Sequence, residues 1–365
     1  MNILITNFHL KDGGGHKTYI RSILKKSVQI QNRFFLATPK NSSLYLDQLE
    51  NKENILFDIE FPSKPREIFK IIKNIIKIKK IIIENKIDLV HVNGSPDHKL
   101  IAIAKWLFRF DYRIIRTKHD SFKIKSNYFN SKLYSKYTDR IIVVSNYQLR
   151  EVIPDSFKNK TLVIQNTVDL SFFHPRSKDI NLMNKLGIKE SDRVLISNAG
   201  TALHKGWQFI VKSVSLLPLE IRSNFKIVLL GKKPSNEILD KYVLKLGMGN
   251  NVIFAGHCDD VRPFIAIGDI GFVLSSSVET ISYACREMMA MGKPVIVSNY
   301  AGLPENIDHK IDGWIVDVSD IKAISKILID YKDRQLRKFS GYALERAKRE
   351  FGDQQLVEKL MNVYN

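Results

Sequence analysis

The stretch VETISYACREMMAMGKPVIVS, residues 278–298, decides how this chain folds and where its chemistry sits. The apolar run 270–274 before it ends in Ser275, Ser276, Ser277 and Glu279, the pattern of a buried strand reaching its tip. Residues 282–291 have helical spacing and are closed by Gly292, with Pro294 beyond it. Val295, Ile296 and Val297 then open another buried strand. This order leaves Glu279 in the crevice outside the strand ends, where open α/β sheets hold their ligands. The backbone amides of Thr280, Ile281, Ser282 and Tyr283 point the same way, and Glu287 lies further down the helix. Unpaired amides and the positive end of a helix dipole both favour the anionic oxygens of a diphosphate. A carboxylate such as that of Glu287 accepts hydrogen bonds from two adjacent ribose hydroxyls at once. A surface helix with two solvated glutamates would share the bare E-x7-E spacing. The flanking GKPVIVS (292–298) and AGLPE (301–305) set this stretch apart.

A chain of 365 residues predicts two domains of ordinary size, each burying its own core. No apolar stretch approaches the roughly 18–20 residues that span a bilayer. Residues 1–6 read as a first buried strand rather than a signal peptide, lacking a basic leader and a cleavage site. Cys258 and Cys285 are the two cysteines, so the sequence predicts neither a disulfide framework nor a zinc site, and a reducing cytoplasmic location fits. The net charge of +19 is large, and most of the excess falls within residues 1–170. Such a surface favours nucleic acid or an anionic membrane. The signatures of common nucleic-acid modules are missing, which favours the membrane.

Strand-like runs alternate with longer helical patterns throughout. In the first half they lie at 3–6, 34–37, 89–92, 114–115 and 141–144; in the second, at 194–197, 226–230, 252–254, 270–274 and 294–297. This alternation predicts two parallel sheets covered by helices on both faces. The polar stretch 166–179, closed by Pro175, reads as the hinge between them.

Residues 64–86 form a basic amphipathic pattern. Ile68, Ile72, Ile75, Ile76, Ile82 and Ile83 make one stripe, with Lys70, Lys73, Lys77 and Lys80 on the other side. An apolar stripe ordinarily faces its own core, and the alternative is contact with a membrane surface. Residues 122–137 interleave Lys123, Lys125, Lys132 and Lys136 with Phe122, Tyr128, Phe129, Tyr134 and Tyr137. Basic and aromatic side chains together suit a headgroup interface, and equally single-stranded nucleic acid.

With these motifs in place, the chain resembles the retaining glycosyltransferases of family 4, which have the GT-B fold of two Rossmann-like doubly wound domains facing a cleft. The likeness runs in order along nearly the whole chain. It implies an N-terminal acceptor-binding domain (1–170), a C-terminal nucleotide-sugar-binding domain (180–345), and a last segment (346–365) that crosses back to the first. Gly14 and Gly15, with Asp12 and Gly13 before them, match the glycine loop that relatives place near the donor phosphate and acceptor. RTKHD (116–120) matches the T-x-H-D element, which implies contact of His119 with the donor sugar. NTVDLSFFHP (166–175) matches a hinge motif, with Thr167 where relatives have glycine. GTALHKG (200–206) matches the diphosphate loop: Lys205 and Gly206 are kept, but Ala199 and Gly200 stand where an arginine is expected. Either His204, Lys232 or Lys233 replaces that cation, or the helix amides suffice without it. Gly231 ends a strand that lines the donor site, residues 252–256 flank the nucleobase, and Gly302 and Glu305 match a loop near the donor.

The resemblance implies a metal-independent hexosyltransferase with no cofactor. Glu279, Lys205 and His119 would serve catalysis. Gly14, Gly15, Gly231, Thr280, Ile281, Ser282, Tyr283 and Glu287 would bind a UDP- or GDP-sugar. The implied acceptor is a bacterial surface glycan of lipopolysaccharide, O-antigen or capsule type. The enzyme would sit in the cytoplasm, peripheral on the inner face of the cell membrane, without nucleic acid as a partner. A nucleotide-sugar epimerase or phosphorylase of the same fold remains an alternative, as does a non-catalytic sugar- or nucleic-acid-binding protein.

Overall fold

Successive side chains along the central strands point into alternate cores, and this period of two organises both halves of the chain. The computed structural model describes residues 1–10, 14–27, 32–51 and 55–365. The chain divides into two compact units, Met1–Thr167 with Asp353–Asn365, and Val168–Gly352. Asp12 and Gly13 of the glycine loop lie outside the described residues.

The first unit holds strands β1 (Asn2–Thr6), β2 (Arg33–Thr38), β3 (Ile55–Asp58), β4 (Leu89–Val92), β5 (Arg113–Lys118), β6 (Arg140–Val143) and β7 (Thr161–Val163). They pair in parallel in the order β3-β2-β1-β4-β5-β6-β7. The longer helices are α1 (Gly15–Ser27), α2 (Ser43–Asn51), α3 (Ile68–Glu84), α4 (Ser95–Phe108) and α5 (Tyr128–Lys136). Leu4, Val90, Val92 and Ile114 join Ile75 and Ile78 of α3 and Leu100 and Ile101 of α4 in one core. Their sheet neighbours Ile3, Ile5, Leu89 and Ile115 join Tyr19, Ile20 and Ile23 of α1 and Leu44 of α2 in the other. The sheet is therefore doubly wound, with its order reversing between β1 and β4.

The second unit repeats the plan with β8 (Arg193–Ser197), β9 (Phe225–Leu230), β10 (Val252–Gly256), β11 (Ile270–Val273), β12 (Val295–Ser298) and β13 (Gly313–Val316). Their order is β10-β9-β8-β11-β12-β13, again parallel, with the reversal between β8 and β11. Its helices include α6 (Trp207–Ser215), α7 (Tyr283–Ala290), α8 (Ile321–Asp330) and α9 (Asp333–Glu350). Val194, Ile196, Val295 and Val297 face α7 and α9, while Leu195, Ile227 and Ile296 face α6 and α8. Gly271 of β11 lets α7 pack close, because a Cβ there would meet Met288 Sδ at 2.6 Å.

A final helix, α10 (Asp353–Tyr364), belongs to the first unit, so the chain crosses back after Gly352. It buries Leu356, Leu360 and Tyr364 in the core beneath α1. Tyr364 Oη lies 2.7 Å from His91 Nδ1, whose Nε2 lies 2.6 Å from Thr117 Oγ1.

Both sheets are the doubly wound parallel sheets expected. Strands β3, β7 and β13 are not among the runs picked out in the sequence, and each is an edge strand of its sheet. β3 has no fully buried residue and β7 has one, so neither carries a buried run, whereas β13 buries three of its four residues. The helix at 64–86 also differs from expectation. Ile75 and Ile82 are buried, but Ile68, Ile72, Ile76 and Ile83 are exposed, so the single stripe expected is two faces.

Candidate active site

The second unit gathers its polar residues outside the carboxyl ends of β8 and β11, the reversal point of the sheet. After β11 the chain turns through Val278, which has φ 52, a left-handed conformation that a β-branched residue rarely adopts. Such a conformation costs on the order of 1–3 kcal/mol and persists only where its surroundings impose it. The turn aims Glu279 inward: it is 8% exposed, and its Oε2 accepts from Lys205 Nζ at 3.0 Å and Ser275 Oγ at 3.1 Å. Its Oε1 accepts from the Thr280 amide at 3.3 Å.

Lys205 reaches this carboxylate because Gly206 has φ 77. A Cβ on Gly206 would lie 1.9 Å from the Leu274 carbonyl oxygen, so only glycine brings this turn against the end of β11. The Ser276 amide bonds the His204 carbonyl at 2.9 Å, and Trp207 Nε1 bonds the Thr201 carbonyl at 2.8 Å. The loop is thus fixed at both ends. Gly231, with φ 132, lies against it, since a Cβ there would meet the Thr201 nitrogen at 3.1 Å. The Thr201 hydroxyl donates to the Lys232 carbonyl, which places Lys232 beside the position of the missing arginine. Burial and the neighbouring Lys205 hold the His204 imidazole below its usual range, which weakens it as a substitute cation.

Ser282 caps α7, its Oγ accepting from the Cys285 amide at 3.3 Å. The helix therefore begins at Tyr283. Thr280 and Ile281, expected among the helix-end amides, precede it in the turn, and the Thr280 amide is taken up by its neighbour's carboxylate. At the other end, the Lys293 amide bonds the Met288 carbonyl and the Gly292 amide bonds the Met289 carbonyl, both at 2.9 Å. This is a Schellman closure around Gly292, which has φ 73.

Glu287 lies in the second turn of α7, where its Oε2 accepts from Asn198 Nδ2 at 2.6 Å. Burial pushes its carboxyl up to about 7, against the opposing pull of the Asn198 bond. Asn198 Oδ1 is buried without a partner. Sequence reasoning missed Asn198 and Ser275. The available signal was position: each lies just beyond the carboxyl end of one of the two strands flanking the reversal.

In the first unit, His119 follows β5. Its Nε2 lies 3.0 Å from Asn93 Oδ1, and the Asn93 amide group donates to the Thr6 carbonyl at 3.0 Å. That orientation of Asn93 makes His119 Nε2 the proton donor. Burial, with His16 and Arg116 nearby, holds the ring far below its usual range and hence neutral, leaving Nδ1 as an acceptor. Its ring packs against His16 and Tyr19, with centroids at 4.3 and 4.7 Å. Buried Gln148 donates through Nε2 to the carbonyls of Lys118 and Asp120 and fixes the loop. Gly14 has φ 50 and precedes α1, which starts at Gly15. The side chain of Arg116 is buried, and its Nε and Nη1 have no partner. Among the described residues no group of three or more His, Cys, Asp or Glu side chains is placed to hold a metal ion.

Comparison with known proteins matches both halves of the chain. The family model for glycosyl transferases group 1 matches residues 178–347, and that for Glycosyltransferase Family 4 matches residues 13–172. An N-acetyl-alpha-D-glucosaminyl L-malate synthase from Bacillus anthracis is 26% identical over 79% of this chain and 76% of its own length. The Escherichia coli UDP-Gal:alpha-D-GlcNAc-diphosphoundecaprenol alpha-1,3-galactosyltransferase is 24% identical over 80% of this chain and 79% of its own. Among solved structures, Anabaena HepE in complex with UDP superposes with a TM-score of 0.83 at 18% identity, covering 100% of this chain and 99% of that one.

Proposed function

The chain belongs to the family 4 glycosyltransferases of GT-B fold, and from that footing we propose that it moves a sugar from a nucleotide-sugar to a surface-glycan acceptor, with retention and without a metal ion. The observation that carries this reading is the Lys205–Glu279 pair, 3.0 Å apart, at the same strand reversal as the Glu287–Asn198 pair.

Each group then has a task. Lys205 neutralises charge on the departing diphosphate, aided by the amides at the start of α7 and by Gly231, where no side chain blocks the backbone. Glu279 exchanges part of its bond to Lys205 for hydroxyls of the donor sugar, and Glu287 with Asn198 holds the ribose. His119 accepts from a sugar hydroxyl through Nδ1. The acceptor oxygen attacks the anomeric carbon on the face from which phosphate leaves. As the carbon–phosphate-oxygen bond breaks, the departing oxygen takes the acceptor's proton. The UDP of HepE and the UDP-Gal named for the E. coli relative favour a UDP-sugar. That relative's undecaprenol-linked acceptor favours a lipid-linked glycan, and the +19 charge favours peripheral contact with the inner face of an anionic membrane. No helix among the described residues is long and apolar enough to cross a membrane.

A panel of nucleotide-sugars, scored for nucleotide release with and without membrane extract, tests the reading. Glu279→Gln and Lys205→Ala are each expected to lower turnover by about 10²–10³ while remaining folded. Near-normal turnover in either variant removes the assigned role, and conversion of the donor alone into an epimer replaces the reaction.

A further inference from the structure

We infer that the outer face of the first unit, built from α3, α4 and α5, docks on an anionic lipid bilayer. The inference deepens the membrane contact proposed above and rests on it. Helix α3 has two apolar faces. Ile75, Ile78, Ile81 and Ile82 are buried, while Ile68, Phe69, Ile72, Ile76 and Ile83 lie on a separate arc of about 100° and are exposed, Phe69 by 84% and Ile76 by 58%. A helix of a single domain needs only the first. The neighbouring α4 exposes Ile103, Trp106 and Leu107, with Trp106 at 62%. Lys79 Nζ of α3 lies 4.8 Å from the centre of the Phe108 ring, which joins the two exposed surfaces. Helix α5 exposes Tyr128 and Phe129, the latter by 80%, and Phe122 precedes it. The three helices bury their inner sides in one continuous core, through Ile78, Leu100 and Leu133, so their outer sides share one face of the sheet.

The charge on that face selects the occupant. Exposed or half-buried lysines are Lys70, Lys73, Lys77, Lys79 and Lys80 on α3, Lys99 and Lys105 on α4, and Lys123, Lys125, Lys132 and Lys136 around α5. The acids on these three helices are Glu84, which pairs Lys80, and Asp97, which is buried and bonded to Thr6 and Asn93. A second copy of this chain would bring the same positive charge and be repelled. A nucleic acid would match the charge but leave Ile72, Ile76 and Leu107 wet. An anionic bilayer covers both: apolar and aromatic side chains enter the headgroup boundary while lysine stems lie along it with their ammonium groups at the phosphates.

The test is flotation of the full-length protein with vesicles of phosphatidylglycerol and phosphatidylethanolamine, against vesicles of phosphatidylcholine. Wild type is expected to float with the anionic vesicles only. Lys73→Glu with Lys80→Glu is expected to weaken partitioning by about tenfold or more. Phe69→Ser with Trp106→Ser and Phe129→Ser is expected to abolish flotation with an unchanged thermal midpoint, since all three side chains are exposed. Wild type that fails to float, or variants that float undiminished, overturns the proposal. So does a wild-type dimer that the serine variant dissociates, or an oligonucleotide bound more tightly than vesicles. Nucleotide release with a water-soluble acceptor, measured without vesicles, is expected to be unchanged in both variants. Its failure in wild type with every donor would count against the transfer reaction and leave the docking face standing.

Discussion

Asn198 Nδ2 approaches Glu287 Oε2 to 2.6 Å, and burial holds that carboxyl near 7, so this glutamate titrates close to neutrality. An ionised carboxylate accepts two ribose hydroxyls better than a neutral one. Affinity for the nucleotide product is therefore expected to rise as pH increases through about 7, and Glu287→Gln is expected to flatten that rise. Calorimetric titration between pH 6 and 8, roughly a unit either side of the titration, decides it; a flat wild-type profile removes Glu287 from the ribose. The stability sign is opposite. A folded-state value raised above the unfolded one means the folded protein binds more protons, so this group's contribution weakens as pH climbs toward 7. The two glutamates were readable in the sequence because GKPVIVS (292–298) and AGLPE (301–305) flank them, setting their spacing apart from that of a solvated surface helix. Their partners Asn198 and Ser275 were not, since an Asn or Ser beyond a strand looks like any turn residue.

The turn ending at Gly206 and the helix α7 are the elements that convert sequence spacing into geometry. Gly206→Ala meets the Leu274 carbonyl at 1.9 Å and places a side chain at φ 77. The turn must then shift away from β11 and carry Lys205 off Glu279. The expected outcome is a loss of about 2 kcal/mol or more in denaturant stability together with the activity loss of Lys205→Ala. A variant that keeps full turnover would show that the position of Lys205 is not set by this glycine. Helix boundaries followed from local rules: Ser282 as cap and Gly292 as closure place α7 within one residue of the sequence reading. For α3 the same rules failed in a useful way. An isoleucine-rich helix has a legible period, but which isoleucines face the sheet depends on how the helix seats against α4.

At the scale of the whole molecule, the first unit is closed by the last twelve-residue helix, Asp353–Tyr364. Tyr364→Phe strips His91 Nδ1 of its buried partner and is expected to cost about 1–3 kcal/mol, read by urea unfolding. An unchanged midpoint would mean that water replaces the phenol. Half-buried His16 and buried His91 are both held at about 3, chiefly by desolvation, and His98 and His119 are also far below their usual range. With folded values below the unfolded value of about 6.5, the unfolded chain binds more protons between them, so stability falls as pH drops below about 6.5. Unfolding of the first unit is accordingly expected at lower urea at pH 5 than at pH 7. Equal midpoints at the two pH values would show that these rings are charged in the folded state.

The alternation of strands and helices, the doubly wound class of both sheets and the placing of Glu279 and Glu287 at a strand tip and on the helix after it were legible in local pattern, whereas Lys205 and His119 stood out only through motifs that resemble a family's. Apolar periodicity, caps and glycines act over a few residues and are written where they act. The edge strands, the pairing of Lys205 with Glu279 across 74 residues, the Asn198 partner and the second apolar face of α3 were decided only by tertiary structure. Each depends on which distant segments desolvate one another, and no local spacing encodes that.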